Sequence, residues 1–118
     1  GLAATLRDWA RLGNLVANRG RVGEQQVVSD AWIAECTSWG PLDKQVRHGV
    51  AMPGRGYKAH MWHWKADGSR PFFNGHHGQR VFIDMPTKTV LVHTAVDHQG
   101  NWQAELNEML DAASKLEV

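Results

Sequence analysis

The run "QRVFIDMPTKTVLVHTAV", Gln79 to Val96, constrains this chain more than any other stretch. Two β-branched and aromatic segments flank "MPTK", and Pro86 suits the second position of a tight turn, so the two segments are read as a hairpin. Val90 and Val92 fall on one face of the second strand; Leu91 and Ala95 fall on the other. A sheet that is apolar on both faces needs a covering layer on each side.

Three helical segments are available to provide those layers. In the first, Leu6, Trp9, Ala10, Gly13, Val16 and Ala17 recur at helical spacing. Thr5 is placed to cap its start with Asp8 three residues on, and Gly20 to end it in the left-handed conformation. The second is short, with Ser29 as cap and Asp30 in its first turn, followed by Trp32, Ile33 and Cys36. The third runs from about Trp102 to Leu116, capped by Asn101, with Trp102, Leu106, Met109, Leu110 and Ala113 sharing a face. Between the second and third helices, "GYKAHMWHW" reads as a further strand and "ADGS" as a turn. Gly40–Arg55 reads as loop, with two prolines and several glycines. The expectation is an α+β fold in one domain, residues 1–118. An antiparallel sheet of about three strands is backed on one face by the C-terminal helix. The other face takes the two N-terminal helices or a partner outside the chain.

Composition narrows the function classes. Thirteen basic residues nearly cancel twelve acidic ones, and no basic block is present, so a nucleic-acid partner is not expected. No apolar run approaches the roughly 20 residues that span a bilayer, so no membrane partner is expected. "GLAATLRDWARLG" has charges where a signal peptide has its apolar core. The chain reads as if cut from something longer, which leaves its localisation open.

Seven histidines invite a metal hypothesis. His60 and His63, three apart in one strand, point to opposite faces, and the adjacent His76 and His77 are expected to diverge. His93 lies on another strand, and His48 and His98 fall in loops. No cysteine or acidic residue stands at zinc spacing beside any pair, so neither metal nor cofactor is expected. Cys36, the single cysteine, reads as a buried, inert thiol. Neither a Gly-x-Ser-x-Gly elbow nor a Ser-x-x-Lys motif occurs, so no residue of the chain is assigned as catalytic. Trp62 and Trp64 share one strand face opposite His63. They pack a core or, alternatively, wall an apolar cleft.

The ordered set of segments resembles a known family. "GLAATLRDWARLGNLVANRGRVGEQQVVSDAWIAE" resembles the stretch that follows the catalytic tyrosine motif in serine β-lactamase-like hydrolases, in the class C branch that includes esterases, D-aminopeptidases and 6-aminohexanoate-dimer hydrolases. "GYKAHMWHW" resembles the family's tryptophan-bearing strand. "NGHHGQRVFIDMPTKTVLV" resembles its last active-site strand and hairpin, with Asp84-Met85-Pro86 at the Asp-Pro turn. The resemblance covers nearly the whole chain; its order is more specific than any single motif.

That resemblance implies a partial β-lactamase/transpeptidase-like fold, as in penicillin-binding proteins. It also implies that Asn74, Gly75, His76, His77, Gly78 and Gln79 form the third active-site motif, lining the cleft and supplying part of the oxyanion hole. In the preferred register Gly75 is the motif glycine and His76 offers the backbone N–H, with Phe73 and Asn74 standing where a cationic residue is usual. In the alternative register His76-His77-Gly78 is the motif and Gln79 is the donor. The family's Ser-x-x-Lys and tyrosine motifs have no counterpart here; the only tyrosine, Tyr57, lies in the later strand. The chain is therefore expected to be the C-terminal part of an amide or ester hydrolase, inactive alone. The rival expectation is a non-catalytic scaffold that self-associates through an open sheet edge or an exposed apolar face.

Overall fold

A computed structural model describes residues 2–38, 56–65, 67–96 and 103–116. The expected Gly40–Arg55 loop, the Asn101 cap, Trp102, His48 and His98 lie outside the described residues.

Helix α1 spans Leu6–Ala17, and the Thr5 hydroxyl accepts the Asp8 N–H at its start. At its end the left-handed position is taken by Arg19 (φ 56) as well as Gly20 (φ 86). The Arg19 N–H donates to the Val16 carbonyl and the Gly20 N–H to Leu15, a Schellman closure displaced one residue from the expected one. The strained Arg19 is tied by its guanidinium to Asp30. A two-residue ribbon follows, β1 (Arg21–Val22) against β2 (Gln25–Gln26). Helix α2, Asp30–Thr37, is capped by Ser29 and buries Ile33 and Cys36, while Trp32 stays exposed.

The main sheet has five antiparallel strands in sequential order: β3 (Gly56–Lys58), β4 (Met61–His63), β5 (Pro71–Asn74), β6 (Arg80–Asp84) and β7 (Thr89–His93). "GYKAHMWHW", read as one strand, is two. Lys58 pairs with Met61, and the two residues between them, Ala59 and His60, both adopt positive φ (48 and 65), the geometry of a two-residue hairpin turn. Neither is glycine or asparagine, so the usual turn signal is missing. His60 is therefore an exposed turn residue, not a strand residue opposed to His63. The Pro71–Asn74 strand, too short to show a period, is the other addition to the expected three.

β6 is buried along all five residues. Val81 and Ile83 meet Val16 and Ala17 of α1, Ile33 and Cys36 of α2, and Met61. Phe82 turns the other way, toward Phe72, Leu106 and Leu110. Val90 and Val92 join the first cluster and Leu91 the second, so both faces are covered within the chain. Helix α1 comes very close to the sheet at Gly13, where a Cβ would sit 2.5 Å from a methyl of Val90. Helix α3, Gln103–Ser114, covers the opposite face. It presents Leu106, Asn107 and Leu110 inward; Met109, placed on that face by spacing, is 56% exposed, because the contact stripe centres one turn-step away.

An ion cluster fastens α3 to the β6–β7 turn. The buried Arg70 guanidinium donates to Asp84 through Nε and to Asp111 through Nη2. Asp84 also accepts the Thr87 N–H (3.1 Å) and hydroxyl, which shapes the Asp84-Met85-Pro86 turn. Burial alone raises the Asp84 carboxyl; the bonds from Thr87 and Arg70 outweigh it and hold the group below its ordinary value of 3.8. A depressed folded-state value contributes stability above the unfolded value, lost as pH falls through the folded one. The urea midpoint should therefore drop as pH falls below about 4. Asp84→Asn should cost about 3 kcal/mol at neutral pH and flatten that drop. A midpoint flat from neutral pH to about pH 3 contradicts the assignment.

Candidate functional site

The turn between β5 and β6 holds most of the residues singled out in the sequence. The Gly75 N–H donates to the Gln79 carbonyl at 2.7 Å, closing the loop. Inside it, His76–Gly78 form one turn of 3-10 helix. Closure explains the glycine: a Cβ on Gly75 would lie 2.7 Å from the Gln79 Cβ. Space against the loop's own far side, rather than close approach to a substrate, excludes a side chain there. His77 takes the left-handed conformation (φ 55, ψ 35), which swings its ring onto His76, with centroids 3.8 Å apart. The two rings meet instead of diverging, because the alternation expected of neighbours holds only in extended backbone.

Three side chains fix it, two of them from outside the loop. Arg80, buried at the head of β6, donates through Nη1 to the Gly75 carbonyl and to the Gln79 carbonyl (2.9 Å). Nδ1 of His93 lies 2.7 Å from the Gly78 carbonyl. A carbonyl only accepts, so His93 Nδ1 carries the proton. The Gln79 amide donates to the Ala95 carbonyl and accepts the Ala95 N–H at 3.3 Å, continuing the β6–β7 ladder with a side chain.

Beside the loop lies an open cleft of about 850 Å³. Trp9, Phe73, Val81 and Val92 give it an apolar floor, while Asn74, Gly75, His76 and Gln79 form its polar rim. Trp62 also lines it. Trp64 does not; its ring stands edge-on to Phe72 and Phe82 in the core. His77 and Gly78 are likewise absent from the lining, Gly78 being buried.

The two candidate backbone donors, the N–H groups of His76 and Gln79, differ in their engagement. The Gln79 N–H is engaged, at 3.4 Å, with the His76 carbonyl. The His76 N–H meets no acceptor among the described residues.

Other candidates resolve into structure. Cys36 is 2% exposed; burial pushes its thiol up, and the Glu35 carboxylate adds to that against the opposing pull of Lys58, so the reactive thiolate is disfavoured. Among the described residues no three His, Cys, Asp or Glu side chains group to hold a metal. No described helix is long and apolar enough to cross a membrane. Arg80 was not singled out from the sequence, and His93 was weighed there only as a metal ligand. Arg80 left a signal, a cation at the head of the apolar run 81–83; the bond from His93 to a backbone carbonyl left none.

No family model matches the chain. A 6-aminohexanoate-dimer hydrolase of Paenarthrobacter ureafaciens is 28% identical over 94 residues, 78% of this chain and 24% of the relative. Among solved structures, the "Putative 6-aminohexanoate-dimer hydrolase from Bacillus anthracis" aligns with a TM-score of 0.67 at 21% identity, over 97% of this chain and 28% of its own. The two share a fold. This chain thus spans about a quarter of the length of the relatives it matches. The sequence match supports the resemblance to that hydrolase family, and the structural match supplies the common architecture.

Gly75→Ala should force the loop open. Amide exchange at Gly75 should accelerate by about tenfold or more, with a stability loss of about 1–3 kcal/mol. Unchanged exchange would show that the loop closes without a bare Cα there.

Proposed function

We propose that this chain forms one wall of the acyl-transfer cleft of an amide or ester hydrolase and contributes a backbone donor to its oxyanion hole. The observation that carries this is the His76 N–H, unaccepted among the described residues at the rim of a cleft with an apolar floor. When a nucleophile attacks an amide or ester carbonyl, negative charge develops on its oxygen. A fixed N–H about 2.7–3.1 Å from that oxygen lowers the barrier by about 3 kcal/mol. The N–H at Gln79 is less suited, since it is already directed at the His76 carbonyl. This favours the register with Gly75 as motif glycine. The apolar floor fits the hydrocarbon part of an acyl group.

The 118 residues carry no Ser-x-x-Lys, so the acyl-accepting nucleophile comes from a segment other than this one, and the chain is silent on its own. The resemblance to 6-aminohexanoate-dimer hydrolases supports an amide or ester as the reacting bond.

A second reading rests on a different observation. Strand β7 pairs only with β6 among the described residues, and Leu2, Leu6 and Val96 are exposed large apolar groups. A free edge beside apolar surface favours self-association. Sedimentation at rising concentration should then show a dimer; a monomer throughout removes this reading.

Binding and turnover test the main one. Hexanoate, whose carboxylate imitates the developing oxyanion, should shift the His76 amide resonance saturably. His76→Pro, which removes that N–H together with the imidazole, should raise the hexanoate midpoint read at the Trp9 indole by about tenfold, whereas His76→Ala, which keeps the N–H, should leave it near the wild-type value. Nitrophenyl butyrate should show no saturable turnover. Turnover blocked by a serine-directed inhibitor would contradict the silent-wall account.

A further inference from the structure

We infer that Arg80 is a positioning residue for the anion-binding N–H of His76, acting through the single peptide unit that joins Gly75 to His76. This rests on the proposed role of His76 and deepens it.

The argument is geometric. The Gly75–His76 peptide is planar and trans, as are all peptides of the described chain, so the Gly75 C=O and the His76 N–H point in opposite directions. Whatever holds the carbonyl aims the N–H. Arg80 holds it: Nη1 donates to the Gly75 carbonyl and, from the same nitrogen, to that of Gln79. The peptide could otherwise rotate as a plate about its flanking bonds, since Gly75 has no side chain to restrain it. With the guanidinium in place, rotation breaks a charge-assisted hydrogen bond in a poorly solvated site.

Arg80 is itself held. It is 8% exposed, at the first position of a fully buried strand, with Asn74 paired across from it on β5 and His93 on β7. Its cationic charge also lies next to the carbonyl of the peptide whose N–H faces the other way. Polarisation of that carbonyl makes the N–H a stronger donor through the shared amide resonance. Arg80 also lines the cleft, so its charge attracts a bound carboxylate directly as well; the positioning role is read from the His76 amide response, and the midpoint reports both effects.

The experiment follows two resonances in the full chain during hexanoate titration: the His76 amide and the indole N–H of Trp9, a residue of the apolar floor. In the wild type both should respond with one midpoint. In Arg80→Met the Trp9 response should remain, because the apolar floor is intact. The His76 response should vanish, and the midpoint should rise by about tenfold. Arg80→Lys keeps the charge without the planar fork and should give an intermediate His76 response. An Arg80→Met response at His76 equal in size and midpoint to wild type overturns the inference and leaves the cleft reading standing. Failure of the wild type to respond at His76 overturns both. Should Arg80→Met not fold, Arg80→Lys decides alone: a His76 response unchanged from wild type in size and midpoint overturns the inference.

Discussion

Strand β6 is buried along its whole length, yet it begins with Arg80 and ends with Asp84. Burying a charge without partners is prohibitive, so each end of the strand must recruit them from its surroundings. Asp84 gathers Arg70 and Thr87, and through Arg70 the last helix. Arg80 gathers the carbonyls of Gly75 and Gln79. One end of a single strand thereby secures the packing of α3, and the other shapes the rim of the cleft. The three residues between are apolar and alternate between two cores, which sets the strand register: a slip of one residue exchanges the Val81 and Ile83 face with the Phe82 face.

The loop at the rim follows from that constraint. A guanidinium that must find acceptors close by finds backbone carbonyls, because the loop is only five residues long and is closed by its own Gly75–Gln79 bond. The Gly75 carbonyl, turned inward toward Arg80, leaves the His76 N–H turned the other way. In this account the anion site is the outer surface of a buried-charge solution. Gln79 and His93 add fastening from β7 and the residues beyond it, so the rim is tied to three consecutive parts of the sheet.

Much of this was legible in the chain itself. Two-faced apolar content in "RVFID" and "TVLVH" called for helices on both sides, and α1 and α3 are there. Thr5 and Ser29 cap as their positions imply. The hairpin at Ala59–His60 was hidden, because neither of its left-handed residues is a glycine or an asparagine. The short Pro71–Asn74 strand offered too few residues for a period. At the rim, Gly75 and His76 were singled out by resemblance, but the reason for the glycine was not legible: a Cβ there would meet the Gln79 side chain across the loop. The meeting of the His76 and His77 rings depends on one positive φ, which no spacing rule announces. Arg80 stood in plain view as a charge in an apolar run; its partners, being backbone, have no sequence mark.

The most direct test of the central claim is a crystal structure of this chain grown with hexanoate. The account predicts a carboxylate oxygen about 3 Å from the His76 nitrogen, the alkyl chain along Trp9 and Phe73, and the Gly75 carbonyl still on Arg80. A carboxylate bound elsewhere, or a Gly75–His76 peptide turned so that its N–H meets Arg80's side of the loop, would contradict it.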